Sequence, residues 1–580
     1  MNFSTFPPQN KQSLVNKAFQ FVESLPPSDK LLLKFSLFVF FVSLIFTCLA
    51  LNEQYLVMVP QRGGVFVEGI VGTPRFVNPL LAVTPADKDI AALVYSGLMK
   101  LGPDGTLVND MADSVTVSSD SLTYHVILKQ NLTFHDGTAV TADDVLFTVS
   151  RIEDPLMKSP LLGSWDGVKV ERVNDHELTM TLQKPYAPFL ENLTVGILPK
   201  HIWEDASPDA FPFSQYNSEP VGSGPYKVGT INRSKSGIPD SYVLVPFSGY
   251  IGGTPKISSI KLAFYSNETA LTDDFKKGVI NATAGLSAHG MDALGDISKT
   301  HIVLKAPLPR TFAVFFNQNE APLFRDKAVR QVLALLTDRS PIVHDVLHGY
   351  AYSIDGPIPP NTDSTTTVAS PTDTTQDQAR QMLRDDGWKF DEGSHRWKKK
   401  LNDVDTELAF HLDTANTDLL ESTAELLKKQ WGAIGIAVEI EKYEQVDLTQ
   451  SVIRPRKYDA LLFGTVIGRE LDFYPFWHSS QRNDPGLNVA LYANITTDAI
   501  LADTRTTTTT EERAKKNDLF AHELADDIPA IFLYAPAFTY VLPNTVEQAH
   551  MNGIAEPYER FATIDQWYMN TESVWPFFKK

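Results

Sequence analysis

Cysteine is almost missing from this chain of 580 residues, Cys48 standing alone. No intrachain disulfide, thiolate zinc cage or CxxC redox pair can therefore form. Positive charge is in deficit too. Against 70 Asp and Glu there are 51 Lys and Arg, a formal net charge of −19, so the chain lacks the cationic field that a phosphate backbone requires. Nucleic acid is not expected as a partner. There is no GxSxG elbow and no P-loop. Gly222-Ser223-Gly224-Pro225-Tyr226 has too few glycines and leads into a strand rather than a helix, so it does not read as a phosphate cradle. Phe134-His135-Asp136-Gly137 reads as a turn that its Asp-Gly reverses.

One segment approaches a metal motif. In His344-Asp345-Val346-Leu347-His348 two histidines at i and i+4 share a helix face, as in the HExxH zinc helix with Asp for Glu. The shorter Asp would hold its carboxylate farther from a metal-bound water, and no third ligand stands out nearby. Surface helical histidines are the simpler account. No catalytic residue, metal ligand or cofactor is assigned, and a zinc peptidase on this pair is the rival reading from the enzyme class.

What the chain does have is ordinary globular composition, 43% hydrophobic and 21% charged, and enough length for about three or four folding units. Phe35 to Leu51 carries no charge, and with Leu31, Leu32 and Leu33 the apolar run is long enough to cross a bilayer as a helix. Residues 31–51 are read as a transmembrane anchor and 1–30 as a cytoplasmic segment, because Lys11, Lys17, Lys30 and Lys34 precede the run. The large C-terminal part then lies outside the cell. A cleaved signal peptide is the alternative, but some thirty residues before the apolar run do not suit one. Cys48 follows Phe46 and Thr47, which are not the small residues of a lipobox, and is read as a lipid-facing or packing cysteine.

Beyond Pro60 strand and amphipathic-helix signals alternate. Leu122, Tyr124, Val126 and Leu128 point one way along a half-buried strand, and Leu178, Met180 and Leu182 mark another. Thr141 caps a helix whose Asp144 reaches back to it. Leu419, Leu420, Thr423, Leu426, Leu427 and Trp431 form a helical stripe that ends at Gly432 and Gly435, and Ile436, Val438 and Ile440 then alternate as a strand. Such helix-to-strand succession builds α/β layers. The Thr-rich tracts 361–375 and 504–510 are read as surface loop or helix start.

Several stretches resemble family 5 extracellular solute-binding proteins of ABC importers, the group with the oligopeptide- and dipeptide-binding proteins. Leu93-Val94-Tyr95-Ser96-Gly97-Leu98 is similar to the family's "VYEGL" segment, and Asp120 to Arg151 to its strand, "F-x-DG-x-x-x-T-A-x-D-V" turn and helix. Pro220 to Tyr226 (PVGSGPY) resembles "PVGTGPY"; Phe316-Asn317 with Phe324 to Leu336 resembles "FN…P-x-x-D-x-x-VR-x-A-L". Phe473 to Gln481 resembles the loop after the "YD" strand, here Tyr458-Asp459.

The resemblance implies a bilobed α/β periplasmic-binding-protein-like fold with an extra inserted domain, preceded by the transmembrane helix. Lobe I would comprise 62–98, 220–305 and 529–575, the inserted domain 99–219 and lobe II 306–528. It implies a non-enzymatic component that captures extended peptides between the lobes, with ABC permease and ATPase subunits as partners; a sugar or metal chelate is the alternative solute. The carboxylate for a ligand ammonium would lie in the loop Gly464 to Pro475, with Asp472 the first candidate and Glu470 the second. That loop is about three residues longer than in oligopeptide binders and has Thr465 where they carry tryptophan. Tyr474 and Trp477 either line a pocket or fill the core; Asn317 and Asn488 either donate to ligand carbonyls or satisfy their own backbone. Ser223, in the crossing segment, completes the candidate set.

Overall fold

The computed structural model describes residues 14–186, 188–360, 373–401, 403–507 and 509–575. It divides into a unit running up to Gln61 together with the chain end from Asn570, and a unit spanning Arg62–Met569. In the first unit, helices cover Leu14–Ser24 and Pro27–Tyr55, the second opening on a proline whose missing N–H costs nothing at the first helical position. Its 24 residues from Pro27 to Ala50 are long and apolar enough to cross a membrane. Phe35, Phe38 and Phe46 are exposed there, which suits an apolar solvent. The strand Val57–Gln61 that follows pairs antiparallel with Asn570–Val574.

In the second unit a mixed sheet runs in the order Ala437–Tyr443, Ala409–Ala415, Ala460–Val466, Arg310–Phe316, Ala530–Pro543, Ala282–Ala284, Val65–Val71, Ser259–Tyr265, Pro239–Pro246 and Tyr226–Arg233. Among the described residues two large cores and a smaller third form along it. One large core gathers Phe316, Leu333, Leu412, Leu427, Trp431 and Phe532; the other gathers Phe66, Leu93, Val126, Tyr226, Tyr540 and Trp567. The fold is thus bilobed and α/β, as expected. The long strand Ala530–Pro543 serves both lobes: Ala530 to Tyr534 pair with the strand Arg310–Phe316, and Ala537 to Pro543 pair with His301–Pro307. Between the halves lie Pro536 and, on the neighbouring crossing, Pro307 and Pro309. Prolines donate no ladder hydrogen bond, yet the strand is held here too: Ala351–Ser353 pairs with Tyr534 to Pro536, and the Leu308 amide donates to Pro536 O at 3.3 Å.

The inserted region carries a four-stranded antiparallel sheet ordered Ala112–Val117, Thr123–Leu128, Glu177–Thr181, Lys169–Asn174. Tyr124, Val126 and Leu128 are buried on the face the alternation predicts, and Tyr124 meets Phe189 edge-on with ring centroids 4.8 Å apart. The helix Ala142–Glu153 begins with the Thr141 amide donating to Asp144 Oδ2 at 2.8 Å. The helix Asp418–Gly432 and the strand Ala437–Tyr443 likewise form where the stripe and alternation place them. Of the Thr-rich tracts, residues 361–372 lie outside the described residues; in the other, Thr510 opens the helix Thr510–Asp527, but Thr504 to Thr506 close the helix Ile495–Thr506 and Thr504 and Thr507 are buried, so that part is neither surface loop nor helix start.

Three of the sequence motifs meet in space, and the reason is steric. A Cβ on Gly222 would stand 2.1 Å from the Val94 carbonyl oxygen, and one on Gly224 2.6 Å from the Val94 carbonyl carbon. The Gly224 amide donates to Val94 O at 2.8 Å, and the His135 amide to Gly222 O at 2.8 Å. Segments 93–98, 134–137 and 222–226 are therefore one backbone junction, and its glycines permit the close approach.

Candidate functional site

A cavity of about 340 Å³ opens within the Arg62–Met569 unit, walled by Tyr95, Ala91 and Ala92 from lobe I, Trp165 and Glu191 from the inserted region, and Val466, Gly468 and Arg469 from lobe II. Its lobe I wall is the helix Pro85–Val94. Thr84 caps that helix, with the Asp87 amide donating to Thr84 Oγ1 at 3.2 Å and the Thr84 amide to Asp87 Oδ2 at 3.3 Å. Alanines at Ala91 and Ala92 keep the wall low and leave the space open.

Charge is concentrated at one end. Arg469 Nη2 donates to both carboxylate oxygens of Glu559 at 2.6 Å, and Glu559 Oε2 also accepts the Ala555 and Glu556 amides at 2.6 and 3.1 Å. Arg469 Nε stands 3.7 Å from Glu191 Oε1. Glu556 lies 3.5 Å from Lys88 and 3.7 Å from Arg310. Burial pushes the Glu191 carboxyl up to about 7, Arg469 opposing the rise and Glu470 and Glu559 adding to it. Arg469 thus lies between Glu559 and Glu191, two acids from segments far apart in sequence.

The loop Gly464 to Pro475 does reach this cleft, but through Val466, Gly468 and Arg469 rather than the residues expected. Asp472 instead accepts three bonds from Arg505, the shortest 2.6 Å, and one from the Tyr474 amide at 3.2 Å. Glu470 pairs with Arg513. Thr465 Oγ1 lies 3.0 Å from Thr311 Oγ1 on the neighbouring strand. The Tyr474 ring carries the Arg505 guanidinium 4.2 Å from its centroid and stacks on His478. Trp477 is buried in the lobe II core, 5.9 Å from both Phe315 and Phe532 by ring centroids.

Two of the remaining candidates serve the backbone, and the third, Ser223, turns its hydroxyl to Met111 Sδ at 3.5 Å. Asn488, fully buried, donates to the Trp477, His478 and Tyr492 carbonyls and accepts the Tyr492 amide. Asn317 donates to Arg456 O at 2.9 Å and accepts the amides of Asn319 and Glu320. Ser223 is buried in the motif junction, its carbonyl 3.5 Å from Ser96 Oγ. None of the eight expected residues lines the cavity. Sequence reasoning missed Arg469, Glu191, Glu559 and Tyr95 as site residues; Tyr95 lay in a quoted motif and Arg469 in the loop Gly464 to Pro475, whose acids drew the attention instead. The histidine pair also separates: Ile342–Val346 is a single π-type turn, and His348 follows with φ 48° and its Nδ1 2.6 Å from Asp292. The two side chains do not share a regular helix face, and among the described residues no group of three or more His, Cys, Asp or Glu is placed to hold a metal.

A family model described as bacterial extracellular solute-binding proteins, family 5 Middle, matches residues 106–485, and the chain belongs to that family. It is 28% identical over 520 residues to the oligopeptide-binding protein AppA of Bacillus subtilis (strain 168), covering 88% of this chain and 92% of the relative. The solved structure of AppA from Bacillus subtilis in complex with a nonapeptide superposes with a TM-score of 0.65 at 26% identity, over 88% of this chain and 100% of the other. The substrate-binding protein CtaP of Listeria monocytogenes superposes at 0.72 with 25% identity, over 88% and 100%. This protein is accordingly an extracellular solute-binding protein by family, with the two-lobed fold of its relatives.

Proposed function

We propose that this chain is the membrane-anchored substrate-binding component of an ABC importer, which captures peptides in extended form between its lobes and delivers them to a permease and its ATPase subunits. The observation that carries this reading is the cavity whose walls come from both lobes and the inserted region, with an apolar floor and a charged end. A ligand in such a site touches every wall only when the lobes are closed, so binding shifts the open–closed equilibrium. The relative with a bound nonapeptide supports peptide as the ligand class. Main-chain hydrogen bonding to an extended backbone would give tolerance of side-chain sequence. The helix Pro27–Tyr55 supports tethering with the binding domain outside the cell, which raises its effective concentration at the permease.

The test is native mass spectrometry of the full chain purified in detergent, read for whatever copurifies. Peptides of mixed sequence are expected. A single sugar or metal chelate at full occupancy overturns the peptide assignment, and cleavage of added peptides with stoichiometric zinc overturns the non-enzymatic reading.

A further inference from the structure

The acids around the cleft are not equally matched. Glu559 holds Arg469 Nη2 through both oxygens, Glu470 holds Arg513, Asp472 holds Arg505, and Glu556 faces Lys88 and Arg310. Glu191 is matched more loosely: the Glu470 amide donates to its carboxylate and Arg469 stands within ion-pair distance of it, while its side chain keeps 31% exposure. Its Oε1 is shielded from solvent without a hydrogen-bond partner, and Arg469 Nε, the nearest cationic atom, likewise has none. Their 3.7 Å separation is too long for a hydrogen bond. A second acceptor is also unfilled: Tyr95, 5% exposed, lines the same cavity, and its hydroxyl has no partner. A shielded carboxylate oxygen that faces a cation only beyond hydrogen-bond distance gains from any donor that can reach it.

We propose that Glu191 determines specificity by accepting a cationic nitrogen of the ligand, an ammonium or guanidinium, at the inserted-domain end of the cleft. The inference rests on the peptide reading above. Such a nitrogen brings several N–H donors, enough for Glu191 Oε1 and for a further acceptor such as Tyr95 Oη. The terminal ammonium and a lysine or arginine side chain share this chemistry.

The groups facing Glu191 set its response to pH: Arg469 and Glu470 from the lobe II loop, Glu559 and Tyr558 from lobe I, and Tyr186 from the inserted region. Burial leads, holding the carboxyl protonated up to about 7. A cation binds the ionised form, so affinity for cationic ligands rises with pH through that value and levels off above it.

The experiment offers the full chain in detergent four pools of short synthetic peptides, with and without lysine and arginine, each with free or acetylated N-termini, and reads retention by mass spectrometry. The parent is expected to favour the cationic pools, and Glu191→Gln to lose about ten- to a hundredfold of that preference, the effect of one charge-assisted hydrogen bond. Glu191→Asp should keep part of it. Preference that follows the free terminus identifies the ammonium as source, and preference that follows lysine and arginine identifies the side chain; either supports the inference. Glu191→Gln that binds peptides with the parent's preference and pH profile overturns it. A parent that retains peptides from no pool overturns the peptide reading itself, so the two failures are distinct.

Discussion

Removing Arg560 tests how lobe I is held. Its side chain is 2% exposed between Glu68 and Asp89, themselves 0% and 4% exposed, and it bonds each at 2.6 Å. Glu68 also accepts the Tyr540 hydroxyl at 2.7 Å. These residues come from a strand, a helix and the turn Pro557–Phe561, far apart in sequence. Arg560→Met leaves two acids without their cation, and breaking a buried pair in this way costs about 3–5 kcal/mol. With about 2.1 cal/mol/K of unfolding entropy per residue, cooperative unfolding of Arg62–Met569 turns that cost into a Tm drop of roughly 3–5 °C. Burial already holds Glu68 above the ordinary carboxyl range against the pull of Arg560. In the variant it protonates more readily still, so the loss should shrink as pH falls. The triple variant Glu68→Gln, Asp89→Asn, Arg560→Met carries no buried charge at this place and should recover most of the loss. Differential scanning calorimetry of the three proteins across pH checks this. A single variant that melts within about 1 °C of the parent would refute the view that the arginine offsets two buried charges.

Four other outcomes are expected. The protein should resist extraction by high salt and migrate at full-length mass, because an apolar helix holds far more firmly than a charge contact; a mature chain starting after Ala50 or modified at Cys48 refutes the anchor. Gly222→Ala should cost about 1–3 kcal/mol by denaturant unfolding, since its Cβ meets the Val94 carbonyl. Asp472→Asn should lower stability by loosening Arg505 while leaving preference between free and acetylated peptides unchanged; lost preference would restore Asp472 as the acid for the ligand's ammonium. Glu191, raised from 4.5 to about 7, and Asp413, raised from 3.8 to about 6 mainly by burial, hold protons in the folded state that the unfolded chain releases. Stability from these groups is therefore present at low pH and lost as pH rises through their folded values, and Glu191→Gln should remove its share of that slope in melting curves taken across the range.

Local pattern carried much of the fold. The stripe from Leu419 to Trp431 makes a helix because six well-spaced side chains share one face, and Tyr124, Val126 and Leu128 alternate into a core because a strand's side chains alternate. Absence of charge between Phe35 and Leu51 marks the apolar helix by the same local logic. The glycines of PVGSGPY were visible as a motif, yet the need for them lies in Val94, more than a hundred residues earlier. Only the tertiary structure could supply it, because close approach is a property of two segments.

The site divides in the same way. Sequence resemblance led to the loop Gly464 to Pro475, and that loop does reach the cleft. Which of its charges remain available is decided by partners that spacing does not reveal. Arg505 and Arg513 lie on two helices beyond the loop and take up Asp472 and Glu470, whereas Glu191 lines the cavity with one oxygen that accepts no hydrogen bond and stands 3.7 Å from Arg469. A carboxylate's role depends on its nearest cation and on its access to water, and both follow from how the segments pack.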